Sequence, residues 1–208
     1  MHRISALLLA GMGLCALAAR AAAPVPAVRP MYFQHLTMRD GLSDGTVNAI
    51  LQDSQGYLWL GTESGLDRYD GYGMRVYRRD GADAHSLPSD YVWTVAEDAH
   101  HDLWLATIGG GVVRWQRSTD SFQRFAHDAV RADSLAGDEV RTLVVDGERI
   151  WAGTLGHGLD LLDPASGSAR HFRHLGGDPH SLASDDVYAL YKDRAGRLWV
   201  GTDAGLSL

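Results

Sequence analysis

The chain has 208 residues, 45% of them hydrophobic and 22% charged, which suits a soluble globular protein and excludes a disordered or polytopic membrane chain. Its 26 acidic residues against 19 basic ones give a net charge of -7, so no nucleic acid partner is expected. The single cysteine, Cys15, excludes a disulfide scaffold and a Cys-rich zinc site.

Residues 1–21 read as a secretory signal peptide. His2 and Arg3 give a charged start, Ile4 to Ala19 is an uncharged apolar run, and Ala19 and Ala21 offer small residues for cleavage after Ala21. The run is short for a bilayer-spanning helix, which needs roughly 20 residues, and Met12-Gly13-Leu14 before Cys15 is no lipoprotein signal. Residues 22–30 form a Pro-rich lead-in without a core pattern.

The remainder is one unit repeated. Trp59, Trp104, Trp151 and Trp199 recur at spacings of 45, 47 and 48 residues. Leu42, Leu87, Leu135 and Leu182 keep the same period, each five residues ahead of Val47, Val92, Val140 and Val187. A third register is Asp53, Asp98, Asp146 and Asp193, each six after its valine. In the first copy, alternation predicts strand A at Val47–Gln52, a turn over Asp53–Gly56, strand B at Tyr57–Gly61, strand C at Leu66–Tyr69 and strand D at Met74–Arg78. Four short strands with one tryptophan per unit of about 45 residues predict an all-β fold of propeller blades. The blades are expected at about 47–78, 92–125, 140–173 and 187–208, the last without its outer strand, so about three and a half blades lie within residues 31–208. The tryptophans are expected to wedge between blades, and the aspartates to open turns by accepting bonds from their own backbone.

The pattern of Val47 to Leu66, repeated at Val187 to Leu206, resembles the two-component regulator propeller repeat. Phe33–Thr37 followed by Asp40–Ser43 also resembles the start of that sensor module, as do the loop elements His85-Ser86-Leu87, Asp133-Ser134-Leu135 and His180-Ser181-Leu182. Ala106 in the second copy and Ala152 with a shorter turn in the third depart from the pattern without breaking a blade. The resemblance implies a periplasmic sensor region at the N-terminal end of a longer receptor anchored in the inner membrane. Its partners would be downstream blades and an output domain of the same chain, a histidine kinase or a diguanylate cyclase, with a homodimer in the full receptor. It also implies that residues 31–36 are a latch strand. That strand would either stay apart from an open arc of blades or close a four-bladed ring against Leu206–Leu208; the open arc is expected, since blade contacts suited to seven blades open too wide for four.

No catalytic residues, cofactor or metal are expected. There is no nucleophile elbow, and the histidines, including His100, His101, His171 and His174, recur in no register. Gly109–Gly111 lies in a strand-to-strand turn, not before a helix, and so is no phosphate cradle. Ligand specificity is expected on the face shared by the B-to-C turns and the loops between blades, with Glu63, Ile108, His157 and Asp203 as candidate contacts. The expected function is sensing of an extracytoplasmic small molecule or glycan. A propeller enzyme, such as a quinoprotein dehydrogenase or glycan lyase, and a protein-interaction scaffold are the alternatives.

Overall fold

Fifteen short strands follow one another with almost no helix in the computed structural model, which describes residues 32–208. The expected leader and lead-in lie outside the described residues. Blade 1 comprises β1 (Val47–Gln52), β2 (Leu58–Thr62), β3 (Leu66–Tyr69) and β4 (Met74–Tyr77). Blade 2 comprises β5 (Val92–Glu97), β6 (Leu103–Thr107), β7 (Gly111–Gln116) and β8 (Ser121–Phe125). Blade 3 comprises β9 (Val140–Asp146), β10 (Arg149–Thr154), β11 (Leu159–Asp163) and β12 (Ser168–Phe172). Blade 4 has β13 (Val187–Lys192), β14 (Leu198–Thr202) and β15 (Gly205–Ser207). Each blade is its own antiparallel sheet in sequence order. The first strands pack successively, β1 on β5, β5 on β9 and β9 on β13, which makes them the inner strands of the stack.

Among the described residues no sheet closes on itself, and no strand pairing joins blade 4 to blade 1. Residues 32–37, in the region expected to supply a latch, carry no strand. Ile50 on β1 and Tyr191 on β13 stand 70% and 63% exposed, because neither has a further blade against it.

The core is divided into three slabs, one between each pair of blades. Trp59 lies in the first with Val92, Leu105, Val113 and Trp115 of blade 2. Trp104 lies in the second with Val140, Leu143 and Ile150 of blade 3, and Trp151 borders the third with Val187 and Val200 of blade 4. Each indole thus faces the following blade. Burying one removes roughly 150–250 Å² from water, worth at most about 4–6 kcal/mol. The valine register meets that face where the preceding blade has its thinnest residue: a Cβ on Gly61 would lie 2.9 Å from Val92 Cγ1, and one on Gly153 2.5 Å from Val187 Cγ1.

The aspartate and tryptophan registers are joined by a hydrogen bond. Asp53 Oδ1 accepts from the Gln55 and Tyr57 amides at 3.0 and 2.9 Å, while Oδ2 accepts from Trp59 Nε1 at 2.9 Å. Asp98 repeats this with His100, Asp102 and Trp104, and Asp193 with Ala195, Arg197 and Trp199. One carboxylate therefore folds the A-to-B turn and fixes the ring beyond it. In blade 3 the turn is one residue shorter, and Asp146 keeps only the indole bond, 3.1 Å to Trp151. Its other oxygen is taken by Lys192 of blade 4. Arg117 of blade 2 likewise reaches Asp53 of blade 1 at 2.9 Å. These cations and the indole donors hold the Asp53 and Asp146 carboxyls below the usual carboxylate range, against the upward push of burial.

A second tie fixes the loops between blades. The residue after each register leucine is Ser43, Pro88, Ala136 or Ala183, and it faces the second core position of strand C. The Ser43 amide donates to Asp67 Oδ2 at 2.8 Å, the Ala136 amide to Asp160 Oδ2 at 2.7 Å, and the Ala183 amide to Ser207 Oγ at 3.1 Å. Pro88 has no N–H, and the matching position in blade 2 is Val113, fully buried and apolar. Donor and acceptor are present together or absent together. Asp160 has a further partner, His171 Nδ1 at 2.6 Å, whose Nε2 reaches the Ala132 carbonyl at 3.1 Å. Burial pushes the Asp160 carboxyl up despite these bonds. Burial lowers the His171 imidazole, but Asp160 and the Ala132 carbonyl outweigh it and the net shift is upward.

Three outcomes are expected. Asp98→Asn keeps an acceptor for the turn amides but turns an NH2 toward Trp104 Nε1; it should lower stability by about 1–3 kcal/mol in urea unfolding, close to the cost of Asp98→Ala. Val113→Asp buries a carboxylate opposite Pro88 and should cost several kcal/mol, and adding Pro88→Ser should recover at least about 1 kcal/mol in a double-mutant cycle; additive effects would refute the tie. Because the His171 pKa is raised on folding, its stabilisation is full below the unfolded value and is lost as pH rises through the folded one. Unfolding midpoints measured from about pH 6 to about pH 8 should therefore fall more steeply for the native chain than for His171→Gln.

Candidate functional site

The inner strands carry a repeated irregularity that the periodicity conceals. In blade 1, Val47 pairs with Thr62 and Ala49 with Gly61, so Asn48 is an extra residue in the ladder. The same slip falls between Val92 and Thr94, between Val140 and Thr142 and between Val187 and Ala189. The bulged residues are Asn48, Trp93, Arg141 and Tyr188. A β-bulge re-aims the side chain it carries, and such features gather near functional sites. The scaffold around them is constant (Val before, Ala or Thr after), whereas the four residues differ: an amide, a cation and two different aromatic rings.

Three of the bulged side chains meet across the blades, and the fourth, Asn48, reaches the backbone of the next inner strand. Asn48 Nδ2 donates to the Val92 carbonyl at 3.2 Å. The Arg141 guanidinium lies 4.2 Å from the Trp93 ring centre and 4.7 Å from that of Tyr188. It is held between aromatic rings of the blade before and the blade after. The outer face of Trp93 is backed by Tyr91, at 5.6 Å between centres and 18° between planes. The Tyr91 hydroxyl donates to Glu63 Oε1 at 2.9 Å, and this bond to a carboxylate raises the phenol's pKa, keeping it protonated. Tyr188 is 45% exposed, and Asn48, Trp93 and Arg141 are half-buried, so the row remains open to solvent. Rings, a cation and an amide in one row can stack a planar or ring-shaped molecule and pair its polar groups.

The candidates expected from sequence flank this row. Glu63, His157 and Asp203 are exposed, and Ile108 is half-buried. Glu63 reaches the row through Tyr91. Ile108 is tied by its own amide to the Tyr91 carbonyl at 3.0 Å and bridges to Glu139. Asp203 donates its amide to the Asp186 carbonyl at 3.4 Å. In blade 3 the same position is Leu155, whose amide bonds the Glu139 carbonyl at 3.0 Å; His157 lies two residues further, with its Nδ1 at 3.0 Å from the Leu155 carbonyl. In blades 2, 3 and 4 the turn amides thus fasten the turn to the start of its own inner strand, and no bond joins the four candidates to one another. The threonines before them close the turns, with Thr62 Oγ1 bonding the Gly65 carbonyl at 2.9 Å and Thr154 Oγ1 the Gly158 carbonyl at 2.7 Å. Sequence reasoning missed Trp93, Arg141 and Tyr188. The signal that could have found them is a tryptophan outside the register, one residue after Val92, and the non-repeating residue at that position in every copy. His174, like His127, holds a loop carbonyl, Leu182 in its case at 2.6 Å. No cluster of metal-ligating side chains occurs among the described residues.

Comparison with known proteins places this arrangement. A family profile described as "Two component regulator propeller" matches residues 41–64, 86–109 and 181–204. Each match runs from the register leucine's loop through strand B. Blade 3, with its shorter turn, is the one outside the matches. The chain is 42% identical over 55 residues to "Histidine kinase P4" of Formosa agariphila, across 26% of this chain and 4% of that protein. It is also similar to the extracellular domain of a hybrid two component system from B. thetaiotaomicron, with a TM-score of 0.73 and 25% identity over 84% of this chain and 26% of that one. A one component system's extracellular domain from the same organism gives a TM-score of 0.64 at 20% identity, over 79% of this chain and 24% of that one. The chain thus spans about a quarter of those ectodomains. Three of the four repeats carry the two-component regulator propeller pattern, and the blades they build are similar to those of the extracellular domain of a two-component system.

Proposed function

We propose that the chain is the extracytoplasmic sensing part of a signal-transduction receptor, and that it binds a small molecule at the bulged row of its inner strands. The observation that carries this reading is the contrast within each repeat. The residues that build blades recur in every copy, whereas Asn48, Trp93, Arg141 and Tyr188 sit at one equivalent, re-aimed position as an amide, a cation and two different aromatic rings. Packing alone would favour repetition there as elsewhere. Similarity to an extracellular domain of a two-component system supports the location and the role.

Signalling needs a ligand that favours one arrangement of blades over another. The row supplies a route, since Arg141 of blade 3 touches both Trp93 of blade 2 and Tyr188 of blade 4. A molecule inserted there changes contacts among three blades together. A half-open row of two rings, a cation and an amide supports binding of a small molecule. A kinase, cyclase or other output would belong to the remainder of the receptor.

A thermal-shift screen of small organic molecules against this chain tests the reading. Hits should lose their shift in Trp93→Ala and in Tyr188→Ala while the unliganded midpoint moves by less than about 1 kcal/mol equivalent, since both side chains are partly solvated. Hits that persist in both variants would place binding elsewhere and overturn it.

A further inference from the structure

We infer that the bulged row recognises a ring-bearing carboxylate, with the acid group on the edge of the Arg141 guanidinium. This deepens the reading above and rests on it.

The chemistry follows from how Arg141 is held. Its carbonyl accepts from Thr94 Oγ1 at 3.0 Å, which fixes the backbone of the bulge. Its guanidinium carbon lies 4.2 Å from the Trp93 ring centre and 4.7 Å from that of Tyr188, so two rings of neighbouring blades contact it. No carboxylate, carbonyl or hydroxyl among the described residues accepts from its nitrogens. Arg75, Arg114, Arg117, Arg124 and Arg197 each pair with an aspartate, whereas Arg141, like Arg68 and Arg170, lies over aromatic rings without a salt bridge. Glu63 accepts from the Tyr91 hydroxyl and makes no ion pair with Arg141. Arg141 therefore keeps its N–H donors without an acceptor among the described residues while two aromatic rings contact the guanidinium.

A guanidinium edge matches a carboxylate bidentately, and ring stacking on its faces leaves that edge free for in-plane pairing. A ligand whose acid group meets this edge brings its ring alongside Tyr188, the exposed member of the row. Asn48 at the far end offers an amide whose carbonyl oxygen has no partner among the described residues. Arg141 is the only cation of the four bulged residues, so among them charge selects an anion.

Calorimetric titration of the chain with glucuronate and benzoate, each beside its uncharged counterpart, glucose and benzyl alcohol, tests this. At least one acid should bind, and bind at least about tenfold more tightly than its neutral partner. Arg141→Gln should abolish the difference. Arg141→Lys, which keeps the charge without the planar edge, should weaken acid binding at least about tenfold; both variants are checked for an unchanged unfolding midpoint. Neutral partners binding as well as the acids, with loss in Trp93→Ala, would overturn the carboxylate assignment and leave the row as a binding site. Acid binding that survives Arg141→Gln, or no acid-dependent heat in the native chain, would overturn the assignment as well.

Discussion

A single carboxylate per blade does two jobs that an isolated four-stranded sheet cannot do for itself. One oxygen closes the turn between strands A and B, and the other accepts the indole N–H of the tryptophan that follows. A buried indole needs an acceptor, and without one its desolvation offsets part of the gain from packing. The aspartate supplies it from within the same hairpin. The ring is thereby set at a fixed angle before the next blade arrives, and that blade's valine and core residues close over it. The fold grows from this local unit by repetition, each blade completing the core of the one before.

The ties between blades are placed around that unit and vary where the repeat varies. Blade 3 shortens its turn and frees an aspartate oxygen, which Lys192 of blade 4 then fills. Blade 2 has a proline where its neighbours offer an amide, and a valine where they offer an acceptor. The tie at Asp160 adds His171, whose pKa that carboxylate raises, so one junction is coupled to protonation of an imidazole. Such pairings keep buried polar groups matched without requiring that every copy match them in the same way.

The blades were legible in the sequence because hydrophobic alternation, turn residues and three registers all carry one period. The strand limits around Val47, Leu66 and Met74 follow from alternation alone. The aspartate-to-indole bond was half legible: both registers were visible at constant separation, but a turn-opening aspartate leaves its second oxygen unassigned until the hairpin folds. The tie of Ser43 to Asp67 joins residues 24 apart and has no periodic signature. The bulged row was hidden for the opposite reason. Repeat analysis discards what does not recur, and Asn48, Trp93, Arg141 and Tyr188 matter by differing. Attention to the B-to-C turns led instead to Glu63, Ile108, His157 and Asp203, whose neighbouring amides mainly anchor turns to inner strands.

Exchange of the indole N–H protons with solvent, read by NMR, tests the account most directly. The indoles of Trp59, Trp104, Trp151 and Trp199 each donate to an aspartate, and that of Trp115 donates to Asp120. These five should exchange slowly, whereas the indole of Trp93, with no acceptor among the described residues, should exchange fast. Register indoles exchanging as quickly as that of Trp93 would contradict the claim that the carboxylates seat them.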